Sequence, residues 1–420
     1  MSNRTLLPVI AGFWLSSFVA ASLQAQPEIS LIPQTIDTTV SVPGGFINSP
    51  VTQTDTATQS PATVPEQTPA PTKKPFITSD ENNPLDFKQV YKQTFSLTIK
   101  GTSIFDIDND GYNETILLTE NKLFVHRYKN KAFPKVYEFK APAGVSFVSI
   151  DIADIDNDSS PEFYLSATSI GADSYRSMIL EFTNNDFLIL EKKTPYLLRV
   201  TDLIDNKKML IGQKYSDAGT HKGELYHLEL VNNTISVKDK IRISDKPVHG
   251  FSVLKNKQDN TQVFVTIASS GYIELIDMAS NSVLTGSEQK YGGNPFTIRL
   301  PSADASSYPV SMLPIRIITA DFNRNGIDEI VCVKNNEAFN NMLETTKIYT
   351  RGHFEILGFE GTSMVKQQWK SGSFSGFISD LAYEDFDNNG TPDLLLIKPV
   401  RPEKTLFKRA ETEIIVLNQK

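Results

Sequence analysis

A short acidic loop between two apolar segments recurs four times along this 420-residue chain and restricts its possible folds. Each loop has Asp at position 1, Asp or Asn at positions 3 and 5, and Asp or Glu at position 9. The copies span 106–114, 154–162, 321–329 and 385–393, and are called loops one to four. The segment after each loop is nearly continuous in apolar residues, which is typical of a strand buried on both faces. The repeated unit is therefore strand, loop, strand.

Two degraded units fit between the second and third copies. The apolar runs 198–204 and 251–254 lead through polar loops without the acidic spacing into the apolar runs 209–212 and 263–267. Six units of roughly fifty to sixty residues, each with about four strands, are typical of a radial array, because each blade can cover its apolar faces only with its neighbours. We therefore predict an all-β fold, a β-propeller of about six four-stranded blades. A seventh blade within the long fifth unit is the alternative.

A propeller of this kind needs its two ends joined. The last unit ends one strand short, after 413–417, whereas 87–95 precedes the first unit and resembles 365–374 at the end of unit five. We expect the strand at 87–95 to supply the outer strand of the last blade and so to close the ring.

The acidic loops have the oxygen ligands that a hard cation requires. Side chains at positions 1, 3, 5 and 9 and the backbone carbonyl of position 7 can surround Ca²⁺, and Gly at position 6 permits the sharp turn. Position 12, where an EF-hand has its bidentate Glu, falls inside a strand, and Mg²⁺ is a poorer alternative because it resists dehydration. The predicted metal ligands are Asp106, Asp108, Asp110, Tyr112, Glu114, Asp154, Asp156, Asp158, Ser160, Glu162, Asp321, Asn323, Asn325, Ile327, Glu329, Asp385, Asp387, Asn389, Thr391 and Asp393.

The four loops differ in charge. At the ligand positions 1, 3, 5 and 9, loops one and two each have four carboxylates, loop four has three, and loop three has two. Because fewer carboxylates weaken Ca²⁺ binding, we expect the third site to be the weakest. Turns that hold no metal are the alternative interpretation, since Asp, Asn and Gly also form ordinary turns.

The strand–loop–strand unit resembles the FG-GAP/VCBS repeat, the calcium-loop propeller unit of integrin α-chain heads and of many bacterial surface and secreted proteins. The resemblance covers about 86–420 and rests on the loop and its apolar flanks, because the Phe-Gly and Gly-Ala-Pro signatures are not visible. It implies a bacterial exported protein in which the loops stabilise blades and do not perform catalysis.

The region before the repeats has a different composition. Residues 1–25 contain Arg4 followed by an apolar stretch and small residues, which predicts a cleaved signal peptide, with an uncleaved anchor as the alternative. Residues 26–85 are rich in Thr and Pro and predict a disordered linker. The propeller then occupies 86–420. We expect an exported protein, periplasmic, cell-surface or secreted, of a Gram-negative bacterium.

The sequence favours a non-enzymatic role. It contains no hydrolase elbow, zinc-protease motif or phosphate loop, and a net charge of −8 argues against a nucleic-acid partner. Its single cysteine, Cys332, lies in an apolar run and reads as a core residue. We expect a calcium-stabilised scaffold or adhesion module that binds a protein or glycan at the cell envelope. A lectin-like propeller is the alternative, followed by a propeller hydrolase or lyase. The segments 334–346 and 399–412 are candidate recognition surfaces.

Overall fold

A computed structural model of the chain describes residues 85–169, 174–216, 223–299, 310–337, 348–360, 364–401 and 409–419. These residues belong to one compact unit, Pro71–Lys420. The predicted signal peptide and nearly all of the predicted linker lie outside the described residues, as do most of the two candidate recognition segments. In the part of the chain that the structure describes, no helix is long and apolar enough to span a membrane.

The described strands form six four-stranded antiparallel blades, as the repeat predicts, and a seventh blade is not needed. The first strand of the chain, β1 (Phe87–Phe95), belongs to the last blade. Blade one comprises β2 (Gly101–Phe105), β3 (Glu114–Leu118), β4 (Lys122–His126) and β5 (Lys135–Lys140). Blade two comprises β6 (Val145–Ala153), β7 (Glu162–Ser169), β8 (Ser177–Thr183) and β9 (Asp186–Thr194).

The two units without acidic spacing form complete blades. Blade three comprises β10 (Tyr196–Asp202), β11 (Lys208–Lys214), β12 (Leu225–Val231) and β13 (Thr234–Ile241). A 3₁₀ turn, Val248–Gly250, precedes blade four. Blade four comprises β14 (Ser252–Asn256), β15 (Thr261–Ile267), β16 (Tyr272–Asp277) and β17 (Val283–Lys290).

Extra strands accompany blade five. A hairpin of β18 (Thr297–Arg299) and β19 (Val310–Met312) separates blades four and five. Blade five comprises β20 (Ile318–Ala320), β21 (Glu329–Glu337), β22 (Tyr349–Glu360) and β23 (Met364–Lys370), with the short β24 (Phe374–Ser375) paired to β22. Blade six comprises β25 (Asp380–Glu384), β26 (Asp393–Arg401), β27 (Glu411–Gln419) and then β1.

The ring closes through β1 as expected. It pairs antiparallel with β27, with Phe87 opposite Gln419 and Phe95 opposite Thr412. A hydrophobic cluster that contains Ile104 and Leu117 of blade one also contains Leu395 and Val416 of blade six. The two ends of the described chain are therefore joined both by strand pairing and by packing.

The hydrophobic core lies between blades. Each of six clusters of buried residues joins one blade to the next around the ring. Cys332 is 2% exposed in the cluster between blades four and five, which confirms its predicted core position. This packing explains why the strand after each loop is apolar on both faces, since it touches a neighbouring sheet on each side.

Candidate metal centre

All four acidic loops have the same backbone hydrogen bonds. Each loop joins the innermost strand of its blade to the second strand. The Asp at position 1 accepts hydrogen bonds from the N–H groups of positions 5 and 6. In loop one these bonds run from Asp110 and Gly111 to Asp106, at 3.2 and 2.9 Å. The corresponding distances in the other loops are 3.0–3.1, 2.8–2.9 and 2.7–3.0 Å. The spacing therefore encodes a defined turn.

Two positions in each loop adopt the left-handed conformation. Position 6 has φ between 72° and 89°, and position 4 has φ between 56° and 61°. Gly occupies position 6 in three loops, where this φ strains residues that carry a Cβ. In loop two Ser159 adopts φ of 72°, so the same turn forms there without glycine.

The turns bring predicted ligands together in three of the four loops. Carboxylate oxygens lie within 4.8 Å of one another for Asp154, Asp156, Asp158 and Glu162 of loop two. The same holds for Asp106, Asp108 and Glu114 of loop one, and for Asp385, Asp387 and Asp393 of loop four. Asp110 of loop one lies outside its group. Among the described residues, loop three forms no such cluster, which agrees with its low carboxylate count.

Three oxygen atoms within these clusters test whether a cation fits. Asp108 Oδ1, Asp387 Oδ1 and Asp393 Oδ2 are buried and have no hydrogen-bond partner among the described residues. A buried carboxylate oxygen without a partner is costly unless a cation or another donor satisfies it. Oxygen-only clusters also match the preference of hard cations such as Ca²⁺. The acidic groups of loops one, two and four could therefore hold a metal ion.

Loop one already contains a protein cation. The Arg127 guanidinium, just after β4, donates to Asp108 Oδ2 at 3.0 Å and to Asp110 Oδ2 at 2.6 Å. It also forms an ion pair with the fully buried Glu114. Burial raises the pKa of Glu114 to about 7, and Arg127 opposes that rise. Partial burial lowers the pKa of Arg127, but its bonds to Glu114 and Asp110 outweigh this and raise it overall.

Loop two contains no such cation in the described structure. The buried Tyr164 hydroxyl donates to Glu162 Oε2 at 2.8 Å. Glu181 of β8 is paired with Glu162 across the sheet, so a further carboxyl group adjoins the site. Burial, followed by the charges of Asp158 and Asp156, raises the pKa of Glu181. Burial also raises the pKa of Glu162 to about 7. With Glu181 included, five carboxyl groups adjoin this site.

Amide side chains donate hydrogen bonds to carboxylates in loops three and four. In loop three, Asn323 Nδ2 donates to Glu329 Oε1 at 2.6 Å, so two of the predicted metal ligands are hydrogen-bonded to each other. In loop four, Asn418 Nδ2 donates to Asp393 Oδ1 at 3.0 Å and leaves Oδ2 without a partner.

The loops are also bonded to one another across blade boundaries. Asn109, at position 4 of loop one, donates through Nδ2 to the Ser159 carbonyl of loop two at 2.8 Å. Asn113, at position 8 of loop one, donates through its backbone N–H to Asn388 Oδ1 and through Nδ2 to the Asp385 carbonyl of loop four, at 2.6 and 2.9 Å. Loop one therefore connects loops four and two around the ring.

Sequence comparison matches loops one and two to a known repeat. Residues 106–165 match the FG-GAP-like repeat. The matched segment runs from loop one through loop two and into β7, and confirms over these residues the resemblance that the sequence predicts. No curated protein matches the chain.

Several solved structures resemble the chain in fold. One is BBS1N in complex with ARL6DN, at 12% identity and a TM-score of 0.43, with 79% of this chain and 97% of that chain covered. Another is a glucose dehydrogenase, at 7% identity and a TM-score of 0.42, with 79% of this chain and 98% of that chain covered. A third is the WD40 beta propeller domain of Doa1, at 8% identity and a TM-score of 0.40, with 80% of this chain and 98% of that chain covered.

A charged network crosses the central channel of the propeller. Asp151 Oδ1 accepts from Arg199 at 2.7 Å and from Arg316 at 2.6 Å, and Arg316 also donates to Asp380 Oδ1 at 3.1 Å. Thr102 donates its N–H to Asp380 Oδ2 at 2.9 Å. Arg199 Nε donates to the Phe251 carbonyl, beside blade four. The innermost strands and their adjoining residues are thus tied together around the axis.

The two ends of the channel differ. At the end with the acidic loops, a cavity of about 620 Å³ is lined by charged residues that include Lys208, Lys257 and Arg324. At the other end a cavity of about 20 Å³ lies beside Leu313 and Pro314, with space for about one water molecule. The wide opening and the acidic loops therefore share one face.

Sequence reasoning missed the residues that act from outside each loop. Arg127 and Glu181 lie across the sheet from position 9, so only strand register reveals them. The channel residues had a signal, because Asp151, Arg199 and Arg316 are single charges within apolar runs. A charge at a similar place in several repeats indicates that these side chains meet on the axis.

Proposed function

We propose that this chain is an exported, calcium-stabilised β-propeller that acts as a non-enzymatic scaffold or adhesion module for a protein partner at the cell envelope. The observation that carries the calcium part is the convergence of carboxylate oxygens in repeated loops. Two of these oxygens, Asp387 Oδ1 and Asp393 Oδ2 of loop four, are buried without a hydrogen-bond partner among the described residues. A propeller with FG-GAP-like repeats is compatible with a protein-interaction scaffold. The predicted signal peptide at 1–25 supports export.

The loop residues supply a specific stabilising mechanism. Asp393 and Glu162 are buried at the starts of β26 and β7, and Asp385 and Asp154 hold the turns that enter those strands. A bound calcium ion would supply the positive charge that these carboxylates lack. The ligands at positions 1 and 9 would then fix the end of the innermost strand against the start of the second strand, which strengthens the blade.

The partner-binding part is supported by the wide end of the channel. Arg324, Lys257 and Thr391 are exposed around the cavity, on the same face as the loops. Lys255 and Lys208 face the same opening and pair with Asp328 and Asp202. A rim with both charge signs suits a polar protein surface, where complementary charges determine specificity. Blade three and blade four lack calcium loops but complete this rim.

Thermal unfolding of the full chain tests the calcium part. We expect Ca²⁺ to raise Tm relative to a chelator, because ligand at 100 times Kd stabilises a folded protein by about 2.7 kcal/mol per site. A variant with Asp156→Asn and Asp387→Asn should lose most of this rise. Asp205→Asn is the matched control, since Asp205 lies in the corresponding loop of blade three, which lacks the acidic spacing. Equal Tm values with Ca²⁺ and with chelator would refute calcium stabilisation.

Site-specific photo-cross-linking in cells tests the partner and the location. A photoreactive residue at Arg324 should give a protein adduct in the envelope fraction, whereas one at Lys192 on β9 should not. An adduct at both positions would contradict a specific binding face. Specific binding on a glycan array without any protein adduct would favour the lectin alternative, and adducts confined to the cytoplasm would contradict export.

A further inference from the structure

We infer that the residue opposite position 9 on the neighbouring strand determines which acidic loop binds calcium, so that Arg127 excludes the ion from loop one and Glu181 favours it in loop two. This inference deepens the proposed function and rests on it. It concerns two residues outside the repeated loop pattern.

The strand register identifies this position. In β3 and β4, Thr115 is opposite His126, so the next step places Arg127 opposite Glu114. In β7 and β8, Glu162 is directly opposite Glu181. In β26 and β27, Asp393 is opposite Asn418. The equivalent position in loop three is Gly358, one step beyond the pairing of Ile330 with Leu357. Four loops with the same turn therefore face Arg, Glu, Gly and Asn.

Arg127 competes directly for the calcium ligands. Its nitrogen atoms contact Asp108, Asp110 and Glu114, which are three of the four carboxylates in loop one. A calcium ion needs these oxygens at about 2.3–2.6 Å, in the region that the guanidinium occupies. The positive charge of the Arg127 guanidinium, which stays protonated in proteins, would also repel the ion. Loop one is consequently neutralised by the chain itself.

Glu181 has the opposite effect on loop two. It lies directly opposite Glu162 and so adds a fifth carboxyl group beside the four of the loop. Because charge count is one determinant of calcium affinity in oxygen-ligand loops, loop two should bind more tightly than loop four, where Asn418 is neutral. The expected order of affinity is loop two, loop four, loop three, with loop one excluded.

Reciprocal variants of the full chain test this inference. Calcium stoichiometry and affinity are measured by isothermal titration calorimetry, and Asp108→Asn and Asp156→Asn assign the ions to loops one and two. In the wild type, Asp156→Asn should remove one ion and Asp108→Asn none. Arg127→Gln should bind one ion more than the wild type, and adding Asp108→Asn should remove it. Glu181→Arg should weaken loop two at least tenfold, whereas Glu181→Gln should have a smaller effect. Lys122→Gln, which removes an exposed cation from β4, is the matched control.

Several outcomes would overturn the inference. Loss of an ion from the wild type on Asp108→Asn would mean that Arg127 does not exclude calcium. An unchanged stoichiometry in Arg127→Gln would have the same meaning, and loop two tests the rule separately through Glu181→Arg should Arg127→Gln fail to fold. If the wild type binds no calcium, the proposed stabilisation fails. One ion gained in Arg127→Gln would then still support exclusion by Arg127, and none gained would refute that as well.

Discussion

Loops one and two have nearly the same sequence and the same turn, yet they differ in charge balance. Both have four carboxylates at the ligand positions, with Asp at positions 1, 3 and 5 and Glu at position 9. In loop one, three of these acids contact Arg127. In loop two the same acids meet Tyr164 and Glu181. The loop sequence therefore specifies a turn, and the adjacent strand determines whether that turn needs an external cation.

This difference separates two ways to stabilise a blade. An internal ion pair is present as soon as the strands pair, and it works at any calcium concentration. An ion site leaves the folded state dependent on its ligand, by mass action. Blades one and two are adjacent and hydrogen-bonded through Asn109, so the two mechanisms can be compared within one ring.

The largest loss of stability is expected on removing a carboxylate from the most deeply buried ion pairs, those of the channel. Asp151 faces both Arg199 and Arg316 in the channel, and all three are largely buried. Asp151→Ala leaves two buried guanidinium groups without this partner, so we expect a loss of about 3–5 kcal/mol in the free energy of unfolding, with or without calcium. Chemical denaturation measures this, with the exposed Asp205→Ala as control. If Asp151→Ala lowers the free energy of unfolding by less than about 1 kcal/mol more than Asp205→Ala does, water has taken the place of the carboxylate.

Removing the acid at position 9 should distinguish the two loops. In chelator, Glu114→Ala should cost about 2–4 kcal/mol, because Arg127 loses its buried partner. In chelator, Glu162→Ala should cost less, since Glu162 has no cation to lose. With calcium, the cost of Glu162→Ala should rise and that of Glu114→Ala should stay constant. Denaturation curves in both buffers measure the four values, and equal calcium dependence of the two variants would contradict the comparison.

The bond between loops one and two should contribute a smaller amount. Asn109→Ala removes the hydrogen bond to Ser159, which typically contributes about 1 kcal/mol. Asn157→Ala is the matched control, because Asn157 has the same left-handed φ but bonds within its own loop. We expect Asn109→Ala to lower stability by more than the control. Identical losses would assign the cost to the backbone conformation alone.

The smallest predicted effect is the contribution of His126 in blade one to the pH dependence of stability. Burial lowers the pKa of His126 below its usual value of 6.5, whereas blade two has Leu180 at the corresponding place opposite Phe163. The neutral imidazole is favoured in the folded state, so its contribution to stability is present above pH 6.5 and is lost as pH falls below that value. Tm of the wild type should fall between pH 7.5 and 5.5 by more than that of His126→Leu. Parallel pH profiles would show that another group titrates.

Much of the fold could be predicted because its signals are local. The loop spacing, the apolar strand after it and the number of units together define four-stranded blades that need neighbours. The similarity of 87–95 to the end of unit five also predicted the closing strand, which pairs with β27. The loop and its flanking strands can be read within a short window of sequence, and the unit count and the closing strand follow from comparing such windows along the chain.

The charge balance of the site could not be predicted in the same way. Arg127 lies beyond a turn from Glu114, and their contact depends on the register between β3 and β4. Asp151 and Arg316 come from blades two and five, and although each is a single charge in an apolar run, neither segment specifies which charge it pairs with. Loop three differs, because its weakness could be predicted from the sequence through the neutral Asn323. In the structure, Asn323 donates a hydrogen bond to Glu329.

The closure of the ring through β1 and β27 makes completion an all-or-none event. Until both strands are present, blade six has no outer pair, and Leu395 and Ile104 have no intact sheet between them and solvent. If blades one to five form in chain order, β1 stays unpaired until its partner β27 is available. A chain truncated before β27 would therefore leave β1 and β26 without their shared partner strand and would expose part of the core between blades six and one.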